Sequence, residues 1–173
     1  VIRPTAEIIG DITRNNHVGL LATEGTVKSQ SYDMEIHKLW PDIKVTGQAC
    51  PFWVPLVEYN EADSPGADYF VKKRIDQLLR KDPEVDSIIL GCTHFPLLMP
   101  KILKYTPPGI TIVPQGEYVA SKLKDYLRRH PEMETMLTKG GEVKYFSTEN
   151  ASKFMEAASI FLHERIKATH IDL

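Results

Sequence analysis

Apolar residues in this chain come in short continuous runs, separated by longer stretches in which apolar and polar positions alternate at helical spacing. The run in "HVGLLATEGT" reads as a buried strand at Val18 to Ala22, "DIKVTGQAC" and "GITIVP" read as further strands, and the continuous β-branched run in "VDSIILG" has the pattern of a strand buried on both faces. Between them, "RPTAEIIGDITRN" reads as a helix opened by Pro4, because a proline ring fits a first turn whose N–H has no partner to lose. "TVKSQSYDMEIHKLW" reads as a second helix. In "GADYFVKKRIDQLLRK", introduced by Pro65, the residues Ala67, Phe70, Val71, Ile75, Leu78 and Leu79 form one apolar stripe. "FPLLMPKILKY" begins a further helix. Strand–helix alternation at this rhythm predicts an α/β fold, an open parallel sheet covered by helices on both sides. After Pro114 come a helix in "EYVASKLKDYLRRH", a strand in "EVKYF" and a helix in "ASKFMEAASIFLHERI". That strand lies beyond the polar loop "PEMETMLTKGG", so the final third is expected in a different sheet.

The 173 residues suffice for one sizeable domain or two small ones. A net charge of −2 argues against nucleic acid or an anionic membrane as the main partner. No apolar stretch nears the roughly 20 residues that cross a bilayer, so no membrane partner is expected. No basic start with a small-residue cleavage site opens the chain, so no signal peptide is expected. The first residue is Val1 rather than Met, so removal of a signal segment, a tag or a large upstream portion is expected. Cys50 and Cys92 make neither a disulfide framework nor a CxxC motif, and reduced thiols in a cytoplasmic protein are the economical reading.

Open parallel sheets bind ligands beyond the carboxyl ends of their strands. Three strands here end in polar turns, "LLATEGT", "VTGQACP" and "IILGCTH", which would gather Thr23, Thr26, Cys50, Cys92, Thr93 and His94 at one rim. A free cysteine usually fills space as a small apolar residue. Cys92 differs, since Gly91 permits a tight strand-to-helix turn and the start of the "FPLLMPKIL" helix favours a thiolate. His94 adds positive charge or a proton shuttle. Cys-x-His also suits zinc, but a tetrahedral site needs three or four ligands, and neither His37 nor Cys50 sits in a ligand pattern; no metal is expected. Cys50, in "QACPFWVPLVE", is expected to be structural and buried beside a connection kinked by Pro51 and Pro55. Glu58 fits an ordinary solvated acid as well as a functional one. Thr23 and Thr26 fit an anion-binding helix start, or Thr26 simply N-caps the helix after it. "KDYLRRH" and Lys72-Lys73 read as solvated helix faces.

"LGCTHFPLL", "ACPFWVPLVE", "LATEGTVKSQSY" and the opening "VIRPTAEII" together resemble the glutamate racemases of the aspartate/glutamate racemase superfamily, and "YFSTENASKFMEAASIFL" resembles that family's C-terminal end. The resemblance covers essentially the whole chain. It implies cofactor-independent interconversion of L- and D-glutamate for peptidoglycan, with two cysteines working on opposite faces of the α-carbon, glutamate as the small-molecule partner, and a homodimer. On matching positions, Cys92 is the second catalytic cysteine, and Thr93 and His94 contact substrate, His94 also assisting Cys92. Glu58 is an acid that tunes His94, and Thr23 and Thr26 lie in a threonine loop near the substrate. The family's first cysteine, in an "ACNT"-like motif, its early Asp-Ser and its Tyr-Gly do not occur here. Cys50 is not that partner, because "ACPFWVP" matches a motif whose cysteine has no assigned role. The implied organisation is a complete flavodoxin-like lobe at 1-114, then a segment, 115-173, of a second lobe whose N-terminal part is absent. The family's "DSG"-like turn appears as "VPQGE". Alone, such a chain is expected not to racemise. Alternatives are an aspartate or broad-range amino-acid racemase, which shares the Cys-Thr-His signature, and a non-catalytic α/β binding module.

Overall fold

The computed structural model describes residues 2–162 and 164–172. Two compact units divide the chain, the first running to Tyr126 and the second from Leu127.

The first unit is built on a four-stranded parallel sheet, β1 (His17–Ala22), β2 (Lys44–Ala49), β3 (Ser87–Leu90) and β4 (Thr111–Pro114), in the order β2-β1-β3-β4. The chain moves outward from β1 to β2, then returns to β1's other side to lay down β3. The topological switch therefore falls between β1 and β3, where open α/β sheets place their ligands. Val18, Leu20, Ala22 and Ile89 face a core cluster with α1 (Ile2–Ile12) and α3 (Ser31–His37), supplied by Ala6, Ile9, Tyr32 and Ile36. The opposite face meets α5 (Pro65–Lys81): a Cβ on Gly19 would lie 2.7 Å from Leu78 Cδ2, so the strand approaches the helix too closely for any side chain there. The runs in β1 and β3 are thus buried on both sides, while the edge strands β2 and β4 are only partly covered.

Three helical stretches depart from the expected pattern, each for a local reason. The helix expected across "TVKSQSYDMEIHKLW" is two, α2 (Glu24–Ser29) and α3, hinged at Gln30 with φ 52°. Ser29 Oγ donates to Thr26 O and pairs with Ser31 Oγ, which draws the backbone out of its ladder at that point. "ACPFWVPLVE" is no mere kinked connection: Trp53–Glu58 form α4, because Pro55 sits in the first turn, where no hydrogen bond is lost. "FPLLMPKILKY" opens as a 3-10 turn, Phe95–Leu98, before α6 (Met99–Tyr105). Pro100 lacks the N–H that a continuous α-helix would direct at Pro96 O.

α5 and α6 are clamped at the end nearest the rim. Lys101 Nζ, on a side chain only 11% exposed, donates to Asp68 Oδ2 at 2.6 Å and to the carbonyls of Asp63 and Ser64. Lys104 and Tyr105 donate to Asp68 Oδ1. Lys101, then Lys104 and Tyr105, hold the Asp68 carboxyl well below the usual carboxylate range. A depressed folded-state pKa stabilises the fold above the unfolded value of about 4, and that stability is lost as pH falls through the folded value. Thermal unfolding between pH 5 and 2 should therefore show a shallower acid loss in Asp68→Asn than in the unsubstituted chain.

α7 (Gly116–Arg129) spans the division between the units. In the second unit the strand expected in "EVKYF" is β5 (Tyr145–Ser147), and it lies in a separate sheet. Its parallel partner β6 (Ala168–His170) was not expected, being three residues with no apolar alternation. The polar loop contains a short helix, α8 (Pro131–Thr135), and α9 (Ala151–Leu162) completes the unit. His163, within the span expected to be helical, lies outside the described residues.

Candidate active site

Parallel register brings the strand ends to one rim: Ala22 pairs with Ala49, Leu21 with Leu90, and Leu90 with Pro114. The segments that follow stay tethered to β1. Gly91 N–H donates to Leu21 O at 2.8 Å and Cys50 N–H to Ala22 O at 2.9 Å. Gly91 serves close packing rather than a special turn, since its φ is not in the left-handed region. A Cβ there would lie 2.9 Å from Leu20 Cδ1 and 3.0 Å from Ala22 Cβ. Ala22 has no rotamer with which to yield. Gly91→Ala is expected to cost about 1–3 kcal/mol in urea unfolding with an unchanged m-value.

Cys92 leaves this rim half-buried, followed by exposed Thr93 and half-buried His94. Phe95 is fully buried and packs on Trp53, ring centroids 4.7 Å apart, which locks the 3-10 turn against α4. That contact sets His94, just before the turn, opposite Glu58, the last residue of α4. His94 Nε2 lies 2.5 Å from Glu58 Oε1, and His94 Nδ1 lies 3.9 Å from Cys92 Sγ. An ionised carboxylate only accepts hydrogen bonds, so Nε2 carries the proton and Nδ1 faces the thiol as acceptor. Cys92 Sγ–H thus has a base in contact, and that base is oriented by an acid able to stabilise the imidazolium formed. This is the arrangement that activates a thiol. The expected helix-dipole contribution is smaller than foreseen, because the element after Cys92 begins as a single 3-10 turn.

Thr23 and Thr26 come together at the end of β1, with hydroxyls 2.9 Å apart. Thr23, not Thr26, is the N-cap: its Oγ1 accepts from Thr26 N–H at 3.4 Å. Cys50 is fully buried, as expected. Burial pushes its thiol far up, against the opposing charge of Arg74, and its S–H donates to Gln48 O. Cys92 is therefore the chain's one half-exposed thiol.

Two residues at this rim escaped the sequence reading. Gln115, the first residue past β4, donates from Nε2 to Leu90 O at 2.9 Å and accepts at Oε1 from Tyr32 OH at 2.8 Å and Thr5 Oγ1 at 3.1 Å. Tyr32 is buried; desolvation pushes its phenol up, and the nearby Cys92 adds to the shift while the Gln115 bond opposes it. The available signal was positional, since "VPQGE" is the fourth strand end at the same rim.

At the opposite end of the sheet, His17, Asp82 and Glu84 offer ligand atoms within 4.8 Å of one another. Lys44 Nζ and Thr46 Oγ1 already sit on the same Asp82 carboxylate, at 3.2 and 3.1 Å, as they do in a structural ion-pair network. Among the described residues no helix is long and apolar enough to cross a membrane.

Fold and site define an open-sheet α/β protein with a half-buried thiol 3.9 Å from an imidazole nitrogen at its topological switch point. No family model matches the chain. It is nevertheless 36% identical over 174 residues to the glutamate racemase of Lactiplantibacillus plantarum, a match covering 100% of this chain and 63% of that protein. The crystal structure of glutamate racemase isoform RacE1 from Bacillus anthracis matches with a TM-score of 0.87 at 30% identity, covering 99% of this chain and 63% of that one. Glutamate racemase from Thermus thermophilus, in complex with β-chloro-D-alanine, matches with a TM-score of 0.77 at 26% identity, covering 99% and 61%. The chain is similar to these glutamate racemases along its whole length, and it spans a little under two thirds of theirs.

Proposed function

We propose that this chain supplies one half of a glutamate racemase active site. Cys92 transfers the α-proton on one face of the substrate. Starting from Sγ–H, the proton passes to His94 Nδ1 and Glu58 stabilises the resulting imidazolium. The thiolate then takes the α-proton, leaving a carbanion that the rim's hydrogen-bond donors stabilise. In the reverse direction the Cys92 thiol delivers its proton to that face. Thr93 and the Thr23–Thr26 hydroxyl pair bind the substrate's polar groups. The observation that carries this reading is the Cys92–His94–Glu58 line at the switch point. The amino-acid analogue held by the Thermus thermophilus relative supports an amino-acid substrate. The unit running to Tyr126 carries Cys92, and the segment from Leu127 belongs to a second lobe. A cytoplasmic, dimeric enzyme supplying D-glutamate for peptidoglycan completes the proposal.

Racemisation needs an acid or base on each face of the α-carbon, and this chain has one accessible thiol. Purified alone, it should leave the circular dichroism of L-glutamate unchanged. A chimaera in which it replaces the matched 63% of the Lactiplantibacillus plantarum enzyme should abolish that signal. Turnover by the chain alone, or a folded chimaera that racemises aspartate and not glutamate, would refute the proposal.

A further inference from the structure

We infer that the concavity between edge strand β2 and the C-terminal half of α5 is a binding site for a small phosphate-bearing anion, separate from the Cys92 rim and independent of its reading. Gln48, Arg74, Gln77, Arg80 and Lys81 line an open surface depression of 390 Å³, room enough for a small anion held mainly by charge. Arg74, Gln77 and Lys81 are spaced to lie along one face of the helix. Three cations and two carboxamides meet there with no acid among them.

These cations differ from a salt-bridged helix face because no carboxylate among the described residues pairs with them, the C-terminal end of α5 offsetting Arg80 and Lys81 only in part. The acids in and just after α5 are committed elsewhere: Asp68 to Lys101 and Lys104, Asp76 to Lys72, and Asp82 to His17 and Lys44. Among the described residues no carboxylate lies within ion-pair distance of Arg74, Arg80 or Lys81. The floor is also ordered. Gln48 is only 6% exposed, and its Nε2 donates to Ala49 O and to Gln77 Oε1. Gln77 Oε1 accepts from Arg74 Nη1 at 2.8 Å as well, which fixes the guanidinium, and Lys81 Nζ donates to Gly47 O at 2.9 Å. The positive field reaches inward, since Arg74 and Lys81 both act on the buried Cys50 thiol. A pre-oriented guanidinium beside a second guanidinium and an ammonium suits the several oxygens and multiple charge of a phosphoryl group. The concavity is too small for a polynucleotide track, and the chain's net charge of −2 disfavours one.

Isothermal titration of the chain with inorganic pyrophosphate tests this. The expected result is saturable one-to-one binding that weakens as salt rises. Arg80→Gln and Lys81→Gln should each weaken it at least about tenfold. Lys72→Gln, paired on another face of the same helix, should leave it unchanged, and so should Cys92→Ser, which separates this site from the racemase proposal. Thermal unfolding of each variant confirms that it is folded, and Arg80 is exposed enough for its replacement to be tolerated. No saturation up to roughly 10 mM, equal weakening by Lys72→Gln, or glutarate binding as tightly as pyrophosphate would each overturn the assignment.

Discussion

Cys92→Ser in the chimaera should lower kcat for glutamate racemisation by on the order of 10²–10⁴, the usual contribution of a positioned acid or base. The hydroxyl of serine is a far weaker acid than a thiol, and the His94–Glu58 pair alone cannot make it a competent base toward carbon. KM should move little, because the substitution removes an interaction made in the transition state rather than in substrate binding. Steady-state circular dichroism from both enantiomers measures this. A drop of less than about tenfold would mean that proton transfer is carried elsewhere.

Trp53→Ala carries the largest expected effect on stability, about 3–5 kcal/mol. Trp53 is fully buried, packs on Phe95, and donates from Nε1 to Phe70 O at 3.3 Å. It joins three elements at once: α4, which ends in Glu58, the 3-10 turn, which follows His94, and α5. Removing it leaves a cavity and frees the two ends that hold the imidazole–carboxylate contact. Urea unfolding followed by the fluorescence of Trp40 gives the stability loss. Alkylation of Cys92 by iodoacetamide, measured well below the unfolding transition, should slow as the base loses its orientation. A loss below 1 kcal/mol with unchanged alkylation would show that the Trp53–Phe95 contact does not assemble the site.

The sheet was legible because strands buried on both faces must be apolar throughout, and "HVGLLA" and "SIIL" satisfy that within a few residues. The rim followed from topology, since parallel strands bring their carboxyl ends together whatever the intervening helices do. Helix boundaries were less legible, because backbone competition decided them: Ser29 and Ser31 hydroxyls end α2, and Pro100 prevents one helix from running through Phe95 to Tyr105. The N-cap falls on Thr23 rather than on Thr26 for a related reason, as either hydroxyl satisfies the local pattern. Only the strand-end position of Gln115 hinted at the Gln115–Tyr32 contact. The two lie 83 residues apart in sequence, and each is an ordinary polar residue until β4 and α3 bring them together. β6 is three residues long and depends wholly on its partner.

The most direct test follows deuterium at the α-carbon. In heavy water, the unsubstituted chimaera should exchange the α-proton of both D- and L-glutamate. The Cys92→Ser chimaera should retain exchange from one enantiomer, without racemisation, and lose it from the other. Equal exchange from both enantiomers in that variant would contradict the assignment of Cys92 to one face of the substrate.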